Sequence, residues 1–358
     1  MAACDGKKEQ AAVVAPWGAL TDSIDDGSGF DLGEIQQSGE MILLTLTGPD
    51  YYYDYRGRHL GTQYLLAARF AAQVGVRLRV EVCRDSADMQ ARLQAGEGDI
   101  MASTEVGRLV ASPDKADLAQ ELQDWYKPAM LDEVRRQEAL LLSSRSVKRR
   151  VFSPMLDRKG GIISHYDHLF QQHSRPIRWD WRLMAAQCYQ ESTFDPRATS
   201  FAGACGLMQI MPATADHLGL ARDQLFDPEQ NIAAAARYLG ELEQTFSDIA
   251  DRRERTNFIL AAYNGGVLHI RDAMALCQRD GRNAHQWSNV QEYVLKLAQP
   301  KYYNDPIVKH GYMRGSETAD YVQKIQQRWE SYRGIKTPHQ GFKHEPQKAR
   351  RERQKYKL

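Results

Sequence analysis

The chain lacks three features that would assign it to a class at once. No run of about 18 apolar residues occurs, so the sequence predicts no transmembrane helix. The 47 Lys and Arg balance 46 Asp and Glu, so no overall charge favours nucleic acid or an acidic substrate. None of the five cysteines forms a CxxC pair, so their spacing indicates neither a metal site nor a disulfide framework. With 42% hydrophobic residues, 358 residues suffice for two globular domains.

The two ends of the chain are predicted as extensions. Residues 1–34 scatter Gly, Ser and Asp without a period and indicate a tether, and residues 336–358 form a strongly basic tail. We favour a solvated tail over one that contacts anionic lipid or wall polymer. The start, MAACDGKKEQ, has no apolar signal-peptide core, so the chain is either cytosolic or has lost a leader. Small residues before Cys4 resemble a bacterial lipoprotein site, which implies a lipid anchor on Cys4; a plain terminal cysteine is an equal alternative.

Residues 35–150 alternate between strand and helix patterns. Short apolar or alternating runs predict strands, and apolar positions at helical spacing predict the segments between them. This order predicts right-handed crossovers and a parallel sheet, hence an α/β lobe. The segments are MILLTLTG (41–48), GTQYLLAARFAAQVG (61–75), VRLRVEV (76–82) and SADMQARLQAGEGD (86–99).

This lobe resembles the first half of the periplasmic solute-binding domains that bind amino acids. The Tyr-rich turn YYYDY after the first strand and GEGD before the third carry the resemblance. The second lobe of that family is missing, since the segment that closes the first lobe follows almost at once. The resemblance therefore implies a scaffold, or a surface for a muropeptide or protein partner.

Residues 151–335 predict an all-α domain, because helical periodicity continues without strand signals. Within it, Asp180 caps a helix that contains WRLMAAQCYQES. Glu191 lies three residues past Cys188, on the inward face of that helix. A buried carboxyl there has a raised pKa and is a candidate general acid; the alternative is a solvated Glu at a helix end.

Three separated motifs extend this interpretation. Glu191-Ser192, GLMQ (206–209) and AYN (262–264) occur in the order typical of the lytic transglycosylase domain of the goose-lysozyme-like superfamily. Longer segments, including NIAAAARYL and GSETADYV, resemble the membrane-bound lytic murein transglycosylase F type. The resemblance implies a lysozyme-like fold, peptidoglycan glycan strands as substrate, no cofactor, and a bacterial periplasmic lipoprotein of the outer membrane. Cys205 departs from the family pattern.

The chemistry then needs only one acid. Asp195 follows Glu191 by four residues and is expected to turn away with Pro196. The C6 hydroxyl of N-acetylmuramic acid (MurNAc) attacks its own anomeric carbon and forms a 1,6-anhydro ring. Glu191 acts first as acid and then as base. The alternatives are a lysozyme-like hydrolase with a second carboxylate, and a non-catalytic wall-binding or partner-binding module.

The resemblance also implies roles in the loop after Glu191. Ser200 would bond the acetamido group or the catalytic carboxyl. Met208 and Gln209 would line the sugar cleft, with Gln209 donating a hydrogen bond to a substituent. Core packing is a close alternative for Met208.

Further substrate-binding roles fall on two later helices. Tyr263 would bond near Glu191 or the acetyl group, and Asn264 would fix the backbone or sugar beside it, unless it is a helix C-cap. Glu317 and Tyr321 would close the far wall, with core packing as the alternative for Tyr321.

Three histidines near the domain junction do not predict a metal site. The spacing of His165, His168 and His173 is not that of a tight site, and surface histidines are commoner.

Overall fold

The computed structural model describes residues 31–143 and 147–334. Cys4, most of the predicted tether, residues 144–146 and the basic tail therefore lie outside the described residues. Within the two described ranges, no helix is both long enough and apolar enough to cross a membrane.

The first lobe is a four-stranded sheet with helices on both faces. Its strands follow the order β4-β1-β5-β6, and β1 is parallel to both β4 and β5. In chain order the elements are α1 (Leu32–Ser38), β1 (Glu40–Thr45), β2 (Tyr53–Tyr55), β3 (Arg58–Leu60), α2 (Thr62–Val74), β4 (Arg77–Val82), α3 (Ser86–Gln94), β5 (Ile100–Ala102), β6 (Leu109–Ala111), α4 (Ala116–Trp125) and α5 (Pro128–Leu141).

The sheet is mixed, which corrects the prediction of a purely parallel one. Strand β6 pairs antiparallel with β5, because the connection 103–108 is too short for a parallel crossover. The rest of the lobe agrees with an α/β fold, and its solute-binding identity stays a prediction.

Strand β1 is buried on both faces, which accounts for its unbroken apolar run. Met41 and Leu43 pack with Phe70 of α2 on one face. Leu44 packs with Met89 of α3 on the other.

The Tyr-rich segment, predicted as a turn, forms the antiparallel hairpin β2–β3. Arg56 and Gly57 at its tip have φ angles of 50° and 71°. Two consecutive positive φ values are what a two-residue type I′ turn requires.

The second lobe is helical around one large core that runs from Ile163 to Tyr332. The described residues of this part of the chain include one short ladder, in which β7 pairs with β8 beside the candidate site. Strand β7 belongs to the linker between the lobes, described over residues 147–150, so this linker is bound to the helical domain. The elements are β7 (Val147–Lys148), α6 (Asp167–Ser174), α7 (Trp181–Ser192), β8 (Thr199–Ser200), α8 (Pro212–His217), a 3-10 turn (Arg222–Gln224), α9 (Pro228–Thr245), α10 (Arg252–Gly265), α11 (Val267–Arg279), α12 (Trp287–Lys296), α13 (Pro300–Tyr303) and α14 (Gly315–Arg333).

Helix caps explain where two important helices begin. The Asp180 side chain accepts a hydrogen bond from the N–H of Arg182, and α7 starts there as predicted. Helix α10 starts five residues earlier than its apolar segment, because Asp251 accepts bonds from the N–H groups of Arg253 and Glu254.

An aromatic cluster joins the lobes. Tyr53 of the hairpin packs on Tyr312 with ring centroids 4.9 Å apart, and Tyr303 packs on Tyr312 from the helical lobe. The Tyr312 N–H donates to Thr47 Oγ1 over 3.0 Å. These contacts place the hairpin beside the helical domain.

Candidate active site

Glu191 lies on the last turn of α7, where it is 9% exposed. Helix α7 ends one residue later, and Thr193 adopts a left-handed conformation with φ 54°. The Tyr321 hydroxyl of α14 donates to Glu191 Oε1 over 2.5 Å. The carboxyl is therefore held by a neighbouring helix rather than by solvent.

The pKa of Glu191 is raised, and burial is the largest cause. The charge of Arg56, the hydrogen bond from Tyr321 and the charge of Arg149 act in the opposite direction. Arg149 also donates to the Glu191 main-chain carbonyl over 2.7 Å. A raised pKa keeps the carboxyl protonated to higher pH, as a proton donor requires.

The loop after Glu191 is held by Asn231 of α9, a buried amide with three bonds. Its Nδ2 donates to the carbonyls of Cys205 (3.1 Å) and Leu225 (2.8 Å), and its Oδ1 accepts from the Met208 N–H (2.8 Å). Gly206 has φ 78°, and a Cβ there would lie 2.4 Å from the Leu225 carbonyl oxygen. The GLMQ motif therefore serves loop geometry as well as any contact with sugar.

The structure brings Ser200 and Gln209 to the same cavity as Glu191. Ser200 Oγ accepts from the Ala204 N–H over 2.9 Å. Gln209 Nε2 donates to the carbonyls of Ala198 (3.1 Å) and Gly206 (2.9 Å), whereas its buried Oε1 has no partner among the described residues. The Gln209 donor is thus used within its own loop, whereas the resemblance implies that it donates to a substituent of the sugar.

Met208 is fully buried, and its side chain belongs to the core. Its carbonyl accepts from the Tyr263 hydroxyl over 2.8 Å. Tyr263 lines the cavity with Asn264, whose Oδ1 accepts from Thr318 over 2.8 Å. Helix α10 continues to Gly265 and its C-cap is Gly266, so Asn264 is not the C-cap.

The two residues predicted for the far wall have different surroundings. Tyr321 is buried yet bonded to Glu191, so it does more than fill the core. Glu317 accepts from Tyr55 (2.7 Å) and Arg314 (3.0 Å), so it connects α14 to the hairpin of the first lobe. Their roles in substrate binding stay predictions.

A cavity of about 1200 Å³ lies between the lobes, and we call it the groove. The helical lobe contributes Glu191 and the loop residues to one wall. The α/β lobe contributes hairpin residues, including Arg56, and residues 82–85 at the end of β4 to the other. A chain of sugars entering this groove would contact both lobes.

Asp195 does not face the groove. Its carboxylate accepts from the N–H groups of Arg150 (2.6 Å) and Arg197 (3.0 Å). Both bonds use it to fix the turn after α7.

No group of three or more His, Cys, Asp or Glu side chains within 31–143 and 147–334 is arranged to hold a metal. The described cysteines, Cys83, Cys188, Cys205 and Cys277, are free and buried.

Sequence patterns did not indicate the residues that approach Glu191 from outside the helical domain. Arg56 comes from the hairpin, and Arg149 comes from the segment before the helical domain. The motif YYYDYR was visible, but nothing local indicates that its tip reaches a residue 135 positions away.

Comparison with known proteins defines the class of the helical lobe. Residues 168–286 match the family described as "Transglycosylase SLT domain". The helical lobe is therefore similar to SLT domains, which confirms the predicted resemblance to a lytic transglycosylase domain.

Similar curated proteins carry a more specific name than the family. The chain is 42% identical over 147 residues to the membrane-bound lytic murein transglycosylase F of Desulfosudis oleivorans, covering 41% of this chain and 32% of that protein. It is 38% identical over 165 residues to the protein of the same name from Maricaulis maris, covering 46% and 35%. These similarities confirm the predicted resemblance to the F type. The chain spans about a third of the length of these curated relatives.

A solved structure is also similar. The 70 kDa soluble lytic transglycosylase of Escherichia coli is 26% identical, with 47% of this chain and 24% of that chain covered and a TM-score of 0.36.

Proposed function

We propose that this chain is a peptidoglycan lytic transglycosylase that cleaves the β-1,4 bond between MurNAc and N-acetylglucosamine (GlcNAc). The observation that carries the proposal is a buried carboxyl, Glu191, with a raised pKa at the wall of a large groove. The SLT domain match and the murein transglycosylase names of the relatives support it.

In the first step, Glu191 donates its proton to the glycosidic oxygen, O4 of GlcNAc. The bond from this oxygen to C1 of MurNAc breaks, and positive charge develops on the MurNAc ring. The Glu191 carboxylate that forms keeps the Tyr321 hydrogen bond, which is stronger to a charged acceptor than to a neutral one. The leaving sugar departs with the proton.

In the second step, the C6 hydroxyl of the same MurNAc attacks C1. Its proton passes to the Glu191 carboxylate, which returns to its starting state. The product has a 1,6-anhydro ring, and no water is consumed. One carboxyl therefore performs both proton transfers.

The other site residues have supporting roles in this proposal. Ser200, Gln209, Tyr263 and Asn264 line the groove and bind the acetamido group and neighbouring sugar atoms. Met208 supports them from the core through its carbonyl bond to Tyr263.

A lysozyme-like hydrolase is the second candidate, because three further carboxylates line the groove. Each has another partner. Asp54 pairs with His59 at 2.8 Å, Asp85 caps α3, and Asp305 bonds to the N–H of Ile307 at 3.1 Å. These contacts favour the single-acid reaction.

Mass spectrometry of the products from purified peptidoglycan separates the candidates. The proposal expects muropeptides one water lighter than hydrolysis products, without a reducing end. Glu191→Gln should abolish the cleavage. Full-mass reducing products would establish hydrolysis instead, and undiminished cleavage by Glu191→Gln would remove Glu191 from the mechanism.

We further propose a periplasmic location with membrane attachment through lipid on Cys4, in line with the names of the membrane-bound relatives. Mass analysis of membrane-extracted protein tests it: an unmodified Cys4 would exclude the anchor. The α/β lobe as a surface for a muropeptide or protein partner also stays a prediction.

A further inference from the structure

The geometry points to a contribution of the α/β lobe to the reaction itself. We propose that Arg56, at the tip of the hairpin β2–β3, is a positioning residue that acts through its charge beside Glu191. This inference rests on the proposed role of Glu191 as acid and base.

The hairpin is fixed to the helical lobe at two points next to its tip. Tyr55 donates to Glu317 of α14 over 2.7 Å. The Arg58 guanidinium lies 5.9 Å from the centroid of the Phe201 ring, in the loop after Glu191. Contacts to both α14 and this loop hold the tip at the groove whose lining includes Arg56 and Glu191.

The base of the hairpin is also anchored. Glu138 of α5 accepts bonds from the Tyr53 hydroxyl (2.9 Å) and the Gly61 N–H (3.1 Å). Because Glu138 is buried, these bonds are shielded from water and limit movement of the strands. The tip therefore has a defined position.

Arg56 has a backbone conformation that other residue types adopt more readily than arginine does. Its φ of 50° is left-handed, where type I′ turns usually carry Asn, Asp or Gly. Such a conformation costs about 1 kcal/mol or more in a non-glycine residue. An arginine retained at this strained position beside a carboxyl suggests a use for its side chain.

The Arg56 guanidinium has no hydrogen bond or ion pair with the residues that the structure describes, although its carbon lies 5.5 Å from the Tyr55 ring centroid. Glu317, the other acid near it, is already engaged by Tyr55 and Arg314. The charge of Arg56 therefore acts on Glu191 without a competing partner of its own, and its N–H donors remain available to a sugar.

Several other groups surround Glu191 and set its protonation together with Arg56. They are Cys188 on α7, Tyr263 on α10, Tyr321 on α14 and Arg149 on the linker. Of these, Arg149 is the other cation, and it already bonds to the Glu191 carbonyl. Arg56 is the cation that enters from the groove side.

The charge serves both steps of the reaction. Burial alone would favour the neutral acid so strongly that proton donation would be difficult. A nearby cation makes the buried carboxyl a better donor and stabilises the carboxylate that must then act as base. The α/β lobe thus completes the proton-transfer site of the SLT domain.

The test uses the full chain and the pH dependence of kcat/KM on purified peptidoglycan. Glu191 must start protonated, so activity falls as pH rises through its pKa, and this fall is the basic limb. Arg56→Gln removes the opposing charge, so the limb should move to higher pH. The rate on the plateau should decrease on the order of threefold to tenfold, because the acid is weaker.

Two variants separate charge from structure. Arg56→Lys should return the limb towards that of the wild type. Arg77→Gln makes the same chemical change on an exposed residue of β4 in the same lobe, outside the groove lining, and should leave the limb in place. An unmoved limb in Arg56→Gln, or an equal shift in Arg77→Gln, would overturn the inference.

Failure of the inference is distinguishable from failure of the proposed function. If Glu191→Gln is inactive while Arg56→Gln keeps the wild-type limb, only the role of Arg56 is wrong. If Glu191→Gln stays active, the proposed function itself fails.

Discussion

The hydrogen bond from Tyr321 to Glu191 allows a quantitative prediction. Tyr321→Phe removes one hydroxyl and leaves the ring in place, so packing of α14 on α7 should persist. In the ground state the hydroxyl bonds to a neutral carboxyl, and in the transition state it bonds to a developing carboxylate. Only the difference between these two bonds affects kcat.

That difference sets the size of the effect. A bond between neutral groups contributes about 0.5–1.5 kcal/mol, and one to a charged group about 1.5–3 kcal/mol. The transition state therefore loses about 1–1.5 kcal/mol more than the ground state, which corresponds to a decrease in kcat of about fivefold to twelvefold. Because the lost bond also favoured the carboxylate, the pKa of Glu191 should rise and the basic limb should move to higher pH.

The assay is release of anhydro-muropeptides from purified peptidoglycan, measured across pH by chromatography. Tyr332→Phe is the matched control on the same helix: its hydroxyl donates to the Pro154 carbonyl over 2.6 Å, away from Glu191. It should keep the wild-type kcat. A kcat within twofold of wild type for Tyr321→Phe, or equal losses in both variants, would refute the reasoning.

Three further predictions concern stability. Burial raises the pKa of Glu191 in the folded chain, so the native state binds more protons than the unfolded state and stability falls as pH rises through that range. Glu191→Gln should therefore melt at a higher temperature than wild type at neutral pH, and a gain that does not shrink on acidification would contradict this. Asn231→Ala should lower the free energy of unfolding by about 3 kcal/mol, because it removes three buried hydrogen bonds. Urea denaturation measures this loss, and a loss below about 1 kcal/mol would contradict the prediction. Gly206→Ala should lower the free energy of unfolding by more than about 1 kcal/mol in the same assay, because φ is 78° and the new Cβ meets the Leu225 carbonyl. Unchanged stability would show that the loop adapts.

Much of the fold could be predicted from local patterns. Apolar periodicity and capping residues such as Asp180 indicate the helices, because these signals lie within one or two turns. The mixed sheet was not predicted, because the direction of β6 depends on which neighbour accepts its backbone bonds. Helix α10 begins at Arg252, where the first turns carry charged residues and no apolar stripe indicates a helix.

The candidate site also contains some residues that local patterns predict and some contacts that they do not. Glu191 is predicted as the acid from its position on a helix face and from the motifs that follow it. Its bond to Tyr321 spans 130 residues, and no local pattern specifies such a partner. The bonds of Gln209 are local, but they depend on the fold of its loop, which brings the carbonyls of Ala198 and Gly206 to the side chain.

The sequence by itself determined the helical fold of the second lobe and predicted the acid and the loop beside it, because short-range periodicity and ordered motifs carry that information. Only the tertiary structure decided that the hairpin of the α/β lobe reaches the groove and places Arg56 beside Glu191. Charge and burial act through space, and the contacts that set them form between segments far apart in the chain.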